Sequence, residues 1–287
     1  MSRTTAPDSS GTDAPQRETS VRYDAEKLVF ADAARQPATR QAPVETPINI
    51  VYAPIPFAVM MATPQDLEDF AVGFSFTEGI IDSVDDIRSV AIEEDEAGLK
   101  LIVALASDKL QRHLARGRNL AGRTGCGVCG IDDLSALPRA AMTPDTSVDL
   151  RVSAVEHALV ALPDQQKLNQ MTGAVHAAAW CEPDGTIAAI REDVGRHNAL
   201  DKLVGHLLRR KTDPLSGFLL ITSRCSFEMV EKAAAFGARA MVAVSAPTSL
   251  AIERARAYGI TLVAVARHDG ALVFNGGEHV IAGDGGA

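Results

Sequence analysis

Between Phe218 and Ala266 the chain alternates short apolar runs with helical repeats, and this alternation constrains the fold more than any other feature. Phe218 to Thr222, Ala240 to Ser245 and Thr261 to Ala266 are brief apolar runs. Between them lie two helical segments, Ser226 to Phe236 and Ser249 to Tyr258, followed by Gly237 and Gly259. Glycine ends helices because it accepts the left-handed conformation at no steric cost. Buried strands joined by helices form a parallel sheet with right-handed crossovers.

The upstream segments extend this plan. Ala174 to Cys181 and Thr186 to Arg191 are strands joined by Glu182-Pro183-Asp184-Gly185, a turn sequence, so the sheet is mixed. A helix from about His197 to Arg210 sets Leu200, Leu203, Val204, Leu207 and Leu208 on one face. Ser153-Ala154-Val155-Glu156 reads as a capping box whose helix ends before Pro163. Earlier still, Ile48 to Tyr52 and Phe57 to Met61 pair across Pro54 and Pro56. Thr63 is then read as a helix cap, Pro64 as the first helical residue and Gly79 as the terminator. Strands follow over Arg88 to Glu93 and Leu99 to Ala106, and a short helix over Asp108 to Leu120. Residues 1–42 are rich in Ser, Thr, Pro, Ala and charge, which predicts a disordered tail. The expected organisation is a tail over 1–42, an N-terminal α+β part over 43–150, and an α/β core over 151–287.

With 287 residues, 46% of them apolar, the chain can bury a sizeable core. A net charge of −9 and a pI near 5.3 argue against a nucleic-acid or anionic-membrane binder. No apolar run approaches the ~20 residues of a membrane helix. The start Met1-Ser2-Arg3-Thr4-Thr5 lacks the apolar stretch of a secretory signal. Four cysteines in a chain this long make no disulfide scaffold, so a soluble cytoplasmic protein with reduced thiols is expected.

In an open α/β sheet, ligands bind beyond the carboxyl ends of the parallel strands. Those ends are polar here: Thr222, Ser223 and Arg224; Ser245, Ala246, Pro247, Thr248 and Ser249; Arg267, His268 and Asp269. Two of these segments lead into helix starts, which favour phosphate, and arginines at two strand ends suit a diphosphate. Against this stands the ordinary use of Ser and Thr as caps. No dinucleotide-fold glycine motif or phosphate-loop motif is present. Arg191-Glu192-Asp193-Val194-Gly195-Arg196-His197-Asn198 also joins a strand end to a helix. Its charge density fits a ligand or interface role as well as a solvated loop.

Gly125-Cys126-Gly127-Val128-Cys129-Gly130 holds two cysteines among three glycines, with little bulk to bury sulfur. Zinc would need two further ligands, and Cys181, Cys225, His113, His157, His176 and His197 are dispersed. The zinc-deaminase signature is absent. A redox dithiol would be expected to open a helix after a first strand, which this pair does not. A sulfur-relay thiol beside Arg123 fits better, and a plain surface loop stays open. Cys181 is read as a small hydrophobe next to Trp180, and Cys225 as lying on the rim without a clear role.

Taken together, several stretches resemble the FdhD family, the sulfur carriers needed for formate dehydrogenase maturation. They are the Cys loop, Asp66-Leu67-Glu68-Asp69-Phe70, Thr172-Gly173-Ala174-Val175-His176, Glu192 to Ala199, Ser223-Arg224-Cys225-Ser226-Phe227-Glu228-Met229-Val230 and Ser245-Ala246-Pro247-Thr248. The resemblance spans about residues 45–275. It implies a cytidine-deaminase-like three-layer core without the deaminase zinc site and without a structural metal, in a homodimer. It implies that a cysteine desulfurase loads sulfur on Cys126 as a persulfide, with Cys129 assisting or receiving. The sulfur then goes to a molybdenum (or tungsten) bis-guanine-dinucleotide cofactor before insertion into formate dehydrogenase. The family's cofactor-binding segment falls on Ala264, Val265, Ala266, Arg267, His268 and Asp269. Ser223, Arg224, Ser245, Thr248 and Ser249 would hold its phosphates, and Arg196 and His197 would line its approach or the dimer seam. The rivals are a cofactor-binding chaperone that transfers no sulfur, and a zinc-stabilised interaction module.

Overall fold

The computed structural model describes residues 17–107, 109 and 146–282. Its centre is a six-stranded sheet built from the predicted alternation. β8 (His176–Cys181) and β9 (Ile187–Asp193) form the hairpin, followed by β10 (Phe218–Ile221), β11 (Ala240–Ala243), β12 (Thr261–Arg267) and β13 (Gly270–Asn275). The strand order is β13-β12-β11-β10-β8-β9. Only the β10–β11 and β11–β12 pairs are parallel, as the crossover helices require. β10 runs antiparallel to β8, which makes the sheet mixed as the sequence predicts.

Helices cover both faces. α4 (Arg196–Arg209), α5 (Phe227–Phe236) and α6 (Ser249–Ala257) bury Leu200, Leu203, Met229, Val230 and Ala251 against one face. α2 (Val152–Gln165) buries Ala154, Val155, Ala158 and Leu162 against the other. The result is a three-layer α/β core. A short helix, α3 (Lys167–Thr172), follows α2.

α2 departs from the expected boundaries. It starts at Val152 behind an extended Arg151, so Ser153 is not its cap. It also runs through Pro163 to Gln165. Proline falls in its last turn, where the chain gives up only one intrahelical bond.

The N-terminal part has its own core. β3 (Thr46–Tyr52), β4 (Ile55–Ala62), β5 (Ile87–Asp95) and β6 (Gly98–Leu105) form a four-stranded sheet of order β4-β3-β6-β5. Ile48, Ile50, Tyr52, Leu101 and Val103 line its buried face with Phe70 and Phe74 of α1 (Leu67–Thr77). Gly79, at φ +67°, lies just past α1 as predicted. Thr63 does not cap α1. The residue before the helix is Asp66, in the left-handed region at φ +54°, with no side-chain cap.

Residues 20–43 differ from the predicted tail. β1 (Ser20–Leu28) and β2 (Arg35–Pro43) pair antiparallel along their whole length. Nearly every β1 side chain is exposed, so the apolar signal that marks a strand is missing. The hairpin rests on its backbone ladder and on Arg40, whose Nη2 donates to the Thr172 carbonyl at 3.0 Å.

α1 joins the two parts by lying against α4 at a glycine crossing. A Cβ on Gly73 would stand 1.7 Å from the Asp201 carbonyl oxygen, and one on Gly205 would stand 1.9 Å from that of Asp69. Backbone meets backbone there, with no flexible side chain to give way. Gly205→Ala is therefore expected to separate the helices and cost about 3 kcal/mol or more. Chemical denaturation checks this.

Candidate functional site

The topology gathers the predicted polar segments on one rim. The carboxyl ends of β9, β10, β11 and β12 point the same way, and β8, being antiparallel, begins there with His176. Arg196 and His197 follow β9, Thr222 to Arg224 follow β10, Ser245 to Ser249 follow β11, and Arg267 to Asp269 close β12.

The charge-dense segment 191–198 divides into two roles. Most of it is structural. Asp193 and Lys202, both fully buried, pair at 2.5 Å. Asp193 also accepts from the Thr63 N–H at 3.0 Å, the Gly195 N–H at 2.7 Å and Asn198 Nδ2 at 3.0 Å. Lys202 Nζ donates to the Thr63 carbonyl, and Thr63 Oγ1 accepts from the Val194 N–H. This is the use that replaces the predicted capping role of Thr63. Glu192 accepts from the Leu168 and Asn169 N–H groups at the start of α3, both at 2.8 Å. Arg191 is bound to Asp69 of α1 at 2.6 Å. Only Arg196 and His197 are left for the rim.

Several predicted contacts turn out to be structural as well. Thr248 caps α6, its Oγ1 accepting from the Ala251 N–H. Ser223 is buried and donates to the Arg224 carbonyl. The Ser245 carbonyl accepts from the Val265 N–H. Ala264 is fully buried in the core beneath the helices, so its side chain does not face the rim. Arg224 and Ser249 are exposed.

Ala266, Arg267, His268 and Asp269 of the predicted binding segment do line a site, while Val265 borders neither of the cavities there. Thr222, His176, Ala266, Arg267 and His268 border a cavity of about 430 Å³ against α2. Arg267, His268 and Asp269 border a second of about 310 Å³, and Glu156 and Leu159 line both. Between Ala264 and Arg267 the register of β12 shifts, and Val265 stands at φ +53°. A β-branched residue in that region is strained by about 1–3 kcal/mol. The strain falls at the one place on the rim where the strand stops pairing regularly and delivers an arginine.

A larger cleft of about 610 Å³ lies elsewhere, at the start of α1 between Asp66, Asp69 and Arg209. Its groups are already engaged with one another: Arg209 binds both Asp69 and Glu68. The rim, with free polar groups, is the better site.

Cys126 and Cys129 lie outside the described residues. The other two thiols are inert. Burial pushes Cys181 and Cys225 both up to about 12. Cys181 packs on the α2 face, opposite the face that holds Trp180, because successive strand residues point to opposite sides. Cys225 holds two rim loops together: its N–H donates to the Ala246 carbonyl and its carbonyl accepts from the Thr248 N–H. Its place on the rim is thus structural.

His197 is the most perturbed group on the rim. Burial, then the charges of Arg196 and Lys232, lower it to about 3. His176 is lowered by burial and Arg196. Both imidazoles are neutral hydrogen-bonding groups at neutral pH. The sequence reading missed His176, Ser226 and Glu228 as rim residues. Ser226 and Glu228 stand in a run that begins at a predicted strand end, which was the available signal.

Among the described residues, no helix is long and apolar enough to cross a membrane, and no three His, Cys, Asp or Glu side chains converge as a metal site would require. The sequence matches the FdhD/NarQ family over residues 43–281. It is 46% identical over 231 residues to a protein of Xanthomonas euvesicatoria pv. vesicatoria named sulfur carrier protein FdhD, covering 80% of this chain and 82% of that one. A protein of the same name from Bordetella petrii is 44% identical over 236 residues, covering 82% and 85%. The fold is similar to a crystal structure from Desulfotalea psychrophila, described as that of a candidate formate dehydrogenase accessory protein. The TM-score is 0.72 at 25% identity, over 92% of this chain and all of that one.

Two outcomes follow from the site's electrostatics. Lys202→Met leaves the Asp193 carboxylate buried without its cation and should cost about 3–5 kcal/mol in equilibrium unfolding. His197, lowered from 6.5, refuses a proton that the unfolded chain binds. Stability should therefore fall as pH drops below about 6.5, and His176 and His206 act in the same direction. Glu192 and Asp201, raised by burial, act oppositely at the acid end. Melting temperatures between about pH 7 and 5 should decline less steeply in His197→Asn than in the parent chain.

Proposed function

The chain belongs to the FdhD/NarQ family, and from that premise we propose that it is a sulfur carrier acting through a persulfide on Cys126. The Cys126 thiolate attacks the outer sulfur of a cysteine desulfurase persulfide. A new S–S bond forms on Cys126 as the desulfurase S–S bond breaks, and the desulfurase thiolate leaves. The carried sulfur passes to the metal of a molybdenum bis-guanine-dinucleotide cofactor, which is cargo here. The Cys126 S–S bond breaks, two electrons from the reduced metal turn the sulfane sulfur into a sulfido ligand, the Cys126 thiolate leaves restored, and the cofactor goes on to formate dehydrogenase. The protein acts as a homodimer.

One observation supports the cargo half of this reading. Arg267 and His268 stand between two adjoining cavities at the strained end of β12, on a rim with helix starts. A guanidinium at a carboxyl strand end suits a nucleotide diphosphate, and the cavities on either side leave room for the groups it joins. The relatives' name, sulfur carrier protein, supports the other half. The glycines around Cys126 and Cys129 leave little bulk to shield a thiolate.

Intact mass measurement after incubation with a cysteine desulfurase and cysteine tests the carrier step. The chain should gain the mass of one sulfur atom, reversibly with reductant, and Cys126→Ala should gain none. Arg267→Ala should weaken guanosine diphosphate binding about tenfold and leave sulfur loading unchanged. Nucleotide binding without any sulfur gain would make the protein a cofactor-binding chaperone instead.

A further inference from the structure

A cavity of about 480 Å³ lies at the end of the central sheet opposite the rim, where β8 turns into β9 and α4 ends. β8 is six residues long, so roughly 20 Å separates this cavity from the rim. Four side chains with polar groups decide its chemistry: Trp180, Glu182, His206 and Arg210.

Trp180 is the one tryptophan of the chain and is only 2% exposed, yet it lines this cavity. Its ring is held edge-on to Phe236, with the centroids 5.7 Å apart. A buried indole N–H ordinarily finds an acceptor. Among the described residues Trp180 Nε1 has none, and it is not one of the unpaired atoms sealed from solvent. The small part of Trp180 that stays accessible therefore includes its N–H. Gly217 leaves that edge bare: Cε2, bonded to the nitrogen, abuts a residue with no side chain, where a Cβ would stand 3.1 Å away.

His206 supplies a second donor. Arg191 Nη2 donates to His206 Nδ1 at 2.6 Å. A guanidinium offers no acceptor, so Nδ1 accepts and the ring proton sits on Nε2. Burial, then the charge of Arg191, lower His206, which keeps the ring neutral at neutral pH. Nε2–H has no partner among the described residues. Arg210, just past the last turn of α4, and Glu182, on the β8–β9 turn, add one charge of each sign. They pair neither with each other nor with any other described side chain.

These groups select the occupant. An inorganic anion would satisfy the guanidinium and the two N–H donors, but it would face Glu182 and the negative end of the α4 dipole. A metal cation would leave both N–H donors unused. A zwitterion uses every group. Pro183, Ala188, Ala189 and Leu207 give the cavity an apolar wall, with more room than a carboxylate and an ammonium fill by themselves. We propose that this cavity binds a free α-amino acid with an apolar side chain. Arg210 and the N–H groups of Trp180 and His206 take the carboxylate, and Glu182 at the carboxyl end of α4 takes the ammonium. The site stands apart from the rim and does not rest on reading the rim as a cofactor site.

The single tryptophan makes the test direct. In a proton–nitrogen correlation spectrum of the full chain, one indole N–H signal reports on this cavity. Titration to about 10 mM with L-leucine or L-phenylalanine should shift that signal saturably for at least one of the two. The N-acetyl form of the amino acid that binds lacks the ammonium, and its amide lacks the carboxylate. Each should bind about tenfold more weakly or worse. Glu182→Gln and Arg210→Ala, both at exposed positions, should each weaken binding about tenfold. No shift with either amino acid, equal binding of the N-acetyl or amide form, an equal shift with inorganic phosphate, or undiminished binding in either variant would overturn the proposal.

Discussion

The rest of the molecule hangs on the buried pair between Asp193 and Lys202. Each charge would be costly alone in the interior, and together they hold because the carboxylate accepts four hydrogen bonds and the ammonium donates to both Asp193 and the Thr63 carbonyl. Thr63 supplies a donor and an acceptor, Gly195 and Asn198 supply two more donors, and Met61 accepts from Asn198. The partners come from the end of β4, the end of β9 and the first turns of α4. One knot of hydrogen bonds thus fixes the N-terminal sheet to the core and fixes where α4 begins. Arg196 and His197 owe their position on the rim to it. The glycine crossing of α1 and α4 adds a second contact between the two parts, on the same helix that carries Lys202.

The alternation from Phe218 to Ala266 was legible because local and global demands agree there: apolar runs, helical spacing and terminating glycines all indicate one topology. The rim was legible for the same reason. What escaped sequence reading shares a different cause. Thr63 and Ser153 carry cap-like patterns, but long-range partners claimed Thr63 and strand β7 (Leu150–Arg151) displaced the start of α2. The hairpin of β1 and β2 has exposed faces, so its ladder leaves no hydrophobic trace. The segment 191–198 shows its charges in sequence, yet nothing local distinguishes Asp193, wholly internal, from Arg196, which faces the rim. Only the partner from β4 decides that.

The rim separates into groups that are finished and groups that are not. The Thr222, Ser223 and Thr248 hydroxyls have intramolecular work, which accounts for the ordinary capping behaviour anticipated for such residues. Ser226, His197 and one oxygen of Glu228 have none. Strain at Val265 adds a second unfinished element on the other side of the same rim. Both features cost free energy in the isolated chain, and stability spent in this way is typical of sites shaped for something else to complete.

Cys181 and Cys225 sit on opposite faces of the central sheet, each too buried and too weakly acidic to react at neutral pH. They are natural reporters of breathing. A thiol reagent can reach Cys225 only when α5 and α6 lift away, and Cys181 only when α2 does. Their relative labelling rates would rank how readily each layer detaches, and so tell which side of the rim yields first when a bulky cargo enters or leaves.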